Sequence, residues 1–128
     1  MDKIELFERT RIFAVGVFKM VNRFPESQAA KVIAYQILKS SSSVAANYRA
    51  VNRAKSGSDF TNKMKIVLEE ADESNFWLNF IKDVAILPES DSQLTDLIKE
   101  SNELTAIFSA SVKTLSNKPK EKSKNLKS

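Results

Sequence analysis

The sequence predicts an all-α protein: an antiparallel up-down-up-down four-helix bundle over residues 1–117, followed by a disordered basic C-terminal tail over residues 118–128. Three observations predict it. Only two glycines and three prolines interrupt 128 residues, so the chain has few places to turn. Between the breaks at Pro25, Gly57 and Pro88, apolar residues recur at three- and four-residue steps, the period of a helix that buries one face. The connections between these periodic segments are short, which makes consecutive helices antiparallel neighbours.

The first helix can start from Asp2, with Glu5 three residues on as its capping-box partner, and Pro25 stops it after Phe24. Leu6, Phe7, Phe13, Val17 and Val21 share its inner face. The second runs from about Ser27 to Lys55, with Ile33, Ile37, Val44 and Val51 inward and Gly57 placed to be its left-handed C-terminal residue. Ser58 or Asp59 then caps a third helix that continues to about Leu87, before Pro88, with a stripe of Phe60, Met64, Val67, Ala71, Leu78 and Ile81. Ser90-Asp91-Ser92-Gln93 matches a capping box for the fourth, which contributes Leu94, Leu97, Leu104, Phe108 and Leu115. The serine run Ser40–Ser43 lies inside the second helix's apolar period. It therefore reads as a place where helices approach closely over small side chains, each hydroxyl bonding back to a carbonyl one turn earlier.

Charge is unevenly distributed. Lys118, Lys120, Lys122, Lys124 and Lys127 face the single acid Glu121 in the tail, leaving 15 of the 20 basic and 15 of the 16 acidic groups to residues 1–117. The chain's formal charge of +4 thus belongs to the tail. Only Leu126 there is available to bury, too little to offset the entropy of ordering the segment.

Enzyme chemistry finds few handles. The chain has no histidine and no cysteine, so the usual near-neutral base, the commonest metal ligand and any thiolate are missing. Di-iron bundles use Glu-x-x-His on paired helices, which this sequence lacks. The cluster Glu69, Glu70, Asp72 and Glu73 has no inner-face acids on the other helices to complete a carboxylate site, and reads as solvated or in polar contact with Asn47 or Arg53. The expectation is a non-enzyme with no cofactor and no bound metal. Without a signal-peptide core, an apolar run of ~20 residues or a cysteine, the chain is expected in the cytoplasm, away from membranes.

Asn47, Arg53, Ser56, Phe60 and Glu73, with Asn-Tyr-Arg-Ala at 47–50 and Glu-Glu-Ala-Asp-Glu at 69–73, carry a resemblance that covers nearly all of residues 4–117. The chain resembles the bacterial four-helix-bundle proteins of the 23S rRNA intervening-sequence protein family, similar in fold to the accessory proteins of diversity-generating retroelements. That resemblance implies a four-helix bundle, a ring-shaped homo-oligomer with five copies, and a genetic association with rRNA. Asn47, Arg53, Ser56 and Glu73 carry over as structural polar residues. Where many relatives read Ile-Ala-Glu-Gly, this chain has Tyr48-Arg49-Ala50-Val51, a more basic corner.

Two surfaces follow from the residues. Arg49, Arg53, Lys55, Lys63 and Lys65 form a basic run at the second turn, interrupted by Asp59, which together with the tail lysines is a candidate for nucleic-acid phosphates. On the third helix Phe76 and Phe80 fall opposite the core stripe, with Leu87 on the same outer line and Val84 and Ile66 beside it, a candidate oligomer interface. Trp77 lies between the two faces, its N–H within reach of a polar group. The function expected is an oligomeric bundle that binds RNA or another nucleic acid through these basic residues. The alternative is a ring-shaped protein-protein interaction scaffold with no nucleic-acid role.

Overall fold

The computed structural model describes residues 2–117, which form four helices: α1 (Lys3–Val21), α2 (Gln28–Val51), α3 (Gly57–Asp83) and α4 (Ser92–Ser116). Each packs on the next in chain order and α4 closes back on α1, while across the diagonal Tyr48 of α2 meets Phe108 of α4 with ring centroids 5.7 Å apart. The result is a square, up-down-up-down bundle. Its most extensive seam is α2–α3 and its least extensive is α1–α4. Phe13, Val17, Ile37, Val44, Val67, Leu78, Ile81, Leu94, Leu104 and Phe108 fill the centre, as their spacing requires. Phe7, Val21, Phe60 and Leu115 pack against that core from its margin.

Among the described residues the buried polar side chains are all small hydroxyls: Thr10, Ser40, Ser41, Ser74 and Ser101. The hydroxyls of Ser40, Ser41 and Ser42 donate to carbonyls three residues back, at 3.4, 3.4 and 3.1 Å. Ser74 donates to the Glu70 carbonyl at 2.9 Å, and its oxygen lies 3.0 Å from that of Ser40 across the α2–α3 seam. One residue on, the Asn75 amide donates to Ser101 Oγ at 2.7 Å and so ties α3 to α4 at the same height.

The α1–α4 seam is held by ion pairs at two heights. Arg9 reaches Glu100, with Nε to Oε2 at 2.8 Å, and Glu103 at 3.0 Å. Arg23 grips both carboxylate oxygens of Asp91, at 2.7 and 2.9 Å, and donates to Gln93 Oε1. Asp91 also accepts the Leu94 N–H, and the Arg23 guanidinium, with that backbone bond, holds its carboxyl down at about 2. Between these clamps Gly16 lets α4 close in: a Cβ there would sit 3.2 Å from Leu97 Cδ2.

The helix ends correct several expectations. The Asp2–Glu5 capping box forms in both directions, but α1 stops at Val21, before Pro25, because Arg23 and Phe24 donate to the Met20 and Val21 carbonyls in a tight closing turn. The turn after Val51 closes the same way, through Arg53 to Ala50 and Ala54 to Val51, with right-handed backbone at Asn52. No left-handed residue is needed, so Gly57 has no positive φ and begins α3, whose cap is Ser56 in place of Ser58 or Asp59. The cap of α4 is Asp91 in place of Ser90, and Gln93 serves Arg23. The left-handed cap occurs at the end of α3, at Ala85 (φ 58°), where Ile86 N–H bonds to the Ile81 carbonyl and Ala85 N–H to that of Lys82. An alanine suffers a steric penalty in that conformation which glycine does not. Ala85→Gly should raise the unfolding free energy by about 1 kcal/mol in urea titration; an unchanged or lowered midpoint would refute the strain.

Candidate functional site

The outward face of α3 carries a compact aromatic group. Phe76 and Phe80, one turn apart, stack with ring centroids 5.7 Å apart, and Trp77 meets both edge-on at 4.9 and 5.6 Å. Phe76 remains 54% and Phe80 38% exposed, and Val84 at the end of the helix 45%. The indole N–H of Trp77 reaches Glu73 Oε2 at 3.4 Å. Ile66 is also exposed, but it precedes Phe76 by ten residues, about 15 Å along the axis, and stands apart from the group. Leu87 is a correction: it is 5% exposed and belongs to the core. A helical wheel that places it outside assumes an unbroken helix, whereas the left-handed turn at Ala85 ends α3 and redirects the chain inward. Exposed acids, Glu69, Asp72, Glu73 and Asp83, rim the aromatic group.

The basic run separates into engaged and available cations. Lys63 Nζ lies 2.6 Å from Asp59 Oδ1, while Asp59 Oδ2 accepts the Lys55 N–H at 3.0 Å. These contacts, the lysine's first, hold the Asp59 carboxyl below its ordinary range. Arg49, Arg53 and Lys65 are exposed, and among the described residues no hydrogen bond or ion pair engages their side chains. Lys118, Lys120, Lys122, Lys124 and Lys127 lie outside the described residues.

Three of the four motif residues make local side-chain hydrogen bonds. Asn47 donates to the Ser43 carbonyl at 2.8 Å, Ser56 caps α3, and Glu73 takes the Trp77 N–H; among the described residues none of Glu69, Glu70, Asp72 and Glu73 makes the expected polar contact with Asn47 or Arg53. Burial, then Glu73, raises the Glu70 carboxyl above its ordinary value. Among the described residues no three acids gather as a metal site would require. The starts of α1 and α3 and the ends of α2 and α4 share one end of the bundle, around a cleft of about 340 Å³ lined by Lys3, Tyr48, Val51, Met64 and Leu115. The α2–α3 corner with Arg49 and Arg53 therefore shares an end with Asn117.

Sequence reasoning missed two exposed apolar surfaces: Ile12, Val15 and Phe18 on α1, 59%, 40% and 45% exposed, and a second on α2. Helix α2 contains no acidic residue, and its outward face carries Lys31, Val32, Tyr35 and Lys39, all exposed, with Val32 and Tyr35 at 56% and 63%. The missing acids are the signal that could have found it, since a solvated helix face ordinarily mixes both signs of charge.

The family model for the 23S rRNA-intervening sequence protein matches residues 2–110. The chain belongs to this family. A crystal structure of a protein of unknown function from the S23 ribosomal protein family of Bacteroides thetaiotaomicron superposes with a TM-score of 0.78 at 27% identity, covering 88% of this chain and 99% of that one. Comparison with curated proteins gives no match. The four-helix bundle agrees with membership of the intervening-sequence family. Among the described residues no helix is long and apolar enough to cross a membrane.

Leu87 and Val84, side by side on the sequence wheel, should now behave oppositely. Leu87→Ala should cost about 2–5 kcal/mol in denaturant unfolding and Val84→Ala no more than ~0.5 kcal/mol. Equal costs would contradict the inward turn.

Proposed function

We propose that this protein is a non-enzymatic homo-oligomer of the cytoplasm that binds RNA through one positively charged end of its bundle. The carrying observation is convergence. The corner holding Arg49, Arg53 and Lys65 lies at the end of the bundle where α4 finishes, and five lysines of residues 118–128 follow Asn117 directly in the chain. Arg49 and Arg53 have no carboxylate partner among the described residues, so neutralising them at a phosphate gives up no existing ion pair. Self-association, for which the exposed Phe76–Trp77–Phe80 group argues, multiplies that end. Several copies of a weak phosphate contact then act together, and a ring of five copies, which the family resemblance implies, suits such summation. The absence of histidine and cysteine supports a non-catalytic role without cofactors.

A second reading rests on the charge balance of residues 1–117: a ring that serves as a protein-protein scaffold, its tail a solubility element. Titrating RNA at several salt concentrations separates the two. The full chain should bind with a steep salt dependence, a chain ending at Asn117 should lose at least about tenfold in affinity with a shallower slope, and Arg49→Ala with Arg53→Ala should weaken the remainder. Equal affinity of the shortened chain would show that the tail lysines do not contribute. No salt-sensitive binding by the full chain would leave the scaffold reading.

A further inference from the structure

We infer that the outward face of α2, centred on Val32 and Tyr35, is the surface that receives the aromatic face of α3 from a second copy of this chain. The inference rests on the self-association proposed above and adds the identity of the mating face.

Composition sets the two faces against each other. The α3 face presents Phe76, Trp77 and Phe80 ringed by Asp72, Glu73 and Asp83. The α2 face presents Val32 and Tyr35 between Lys31 and Lys39, on a helix without a single acid. Apolar area at the centre with opposite charges at the rim is what a specific interface uses, and like faces would bring carboxylates onto carboxylates.

Height along the bundle fits as well. The Ser40–Ser74 contact marks residues of α2 and α3 that lie level, and because the helices are antiparallel, level pairs keep a constant sum of residue numbers. On that scale Lys31 is level with Asp83, Val32 and Tyr35 bracket Phe80, and Lys39 stands between Phe76 and Glu73. A cyclic assembly with its axis parallel to the bundle requires this levelness, because its copies are related by rotation without rise. Each α3 would then run antiparallel to the neighbour's α2.

The two faces belong to adjacent corners of a square bundle, turned about 90° from each other. A heterologous contact between faces so turned closes after about four or five copies, whereas a contact of the α3 face with itself would stop at a dimer. Arg49, near the far end of α2 from Lys31 and Val32, and Arg53, in the turn beyond it, stay clear of the contact.

Complementary disabling tests this directly. One variant carries Val32→Glu and Tyr35→Glu, the other Phe76→Glu and Phe80→Glu; all four positions are exposed, and far-UV circular dichroism checks that each variant is folded. By light scattering each variant alone should fall to the monomer mass of 14.4 kDa, and an equal mixture should form a dimer of twice that mass, since each retains the face the other lacks. Lys31→Glu with Lys39→Glu, rescued by Glu73→Lys with Asp83→Lys, gives a second route if a double glutamate variant misfolds. If the α2 variant keeps the wild-type oligomer mass, or the mixture stays monomeric, the α2 assignment is wrong. A monomeric wild-type chain would instead overturn self-association itself.

Discussion

The close approach of α2 and α3 at Ser40 and Ser74 is the constraint on which the rest of the bundle hangs. Small side chains at a helix crossing let the backbones come together, and hydroxyls that bond back within their own helix can be buried there without an orphaned donor. The line continues through Asn75 to Ser101 on α4 and, near the same height, through Arg9 to Glu100. All four helices are thereby levelled at a waist. On either side of it, larger residues such as Met20, Tyr48 and Phe108 fill the core.

Levelling at the waist has consequences at the surface. It puts the aromatic group of α3 and the cation-flanked apolar face of α2 at one height near the end where α3 finishes, and it brings Arg49 and Arg53 to the opposite end with the close of α4. The proposed assembly faces and the proposed phosphate-contacting residues thus occupy separate parts of the bundle. A slip of one helical turn between α2 and α3, about 5.4 Å, would carry Lys31 out of line with Asp83 and leave the two exposed faces mismatched.

Much of the fold is legible in the sequence because periodicity and caps act locally. The core stripes of α2 and α4, the Asp2–Glu5 box and the outward Phe76–Phe80 pair all follow from spacing alone. Leu87 misleads because a wheel carries no information about where a helix stops, and an alanine in left-handed backbone leaves no sequence signal of the kind glycine gives. Gly57 misleads for the converse reason: the α2 turn closes through right-handed backbone and leaves the glycine without a special task. Arg23 lies about 70 residues before Asp91 and Gln93 in the chain, so their joint role is invisible until folding brings them together. The resemblance locates Asn47, Ser56 and Glu73, but their partners, Ser43, Asp59 and Trp77, emerge only from coordinates.

Side-chain size, and not the hydroxyl–hydroxyl bond, sets the α2–α3 approach, and denaturant unfolding of two variants tests this most directly. Ser40→Ala with Ser74→Ala removes both polar partners together and keeps the side chains small, so stability should change by no more than about 1 kcal/mol. Ser74→Leu keeps Ser40 but forces the helices apart, and should cost about 1–3 kcal/mol. If the alanine pair proves the more damaging and the leucine is tolerated, the waist is held by its hydrogen bond and side-chain size does not set the approach.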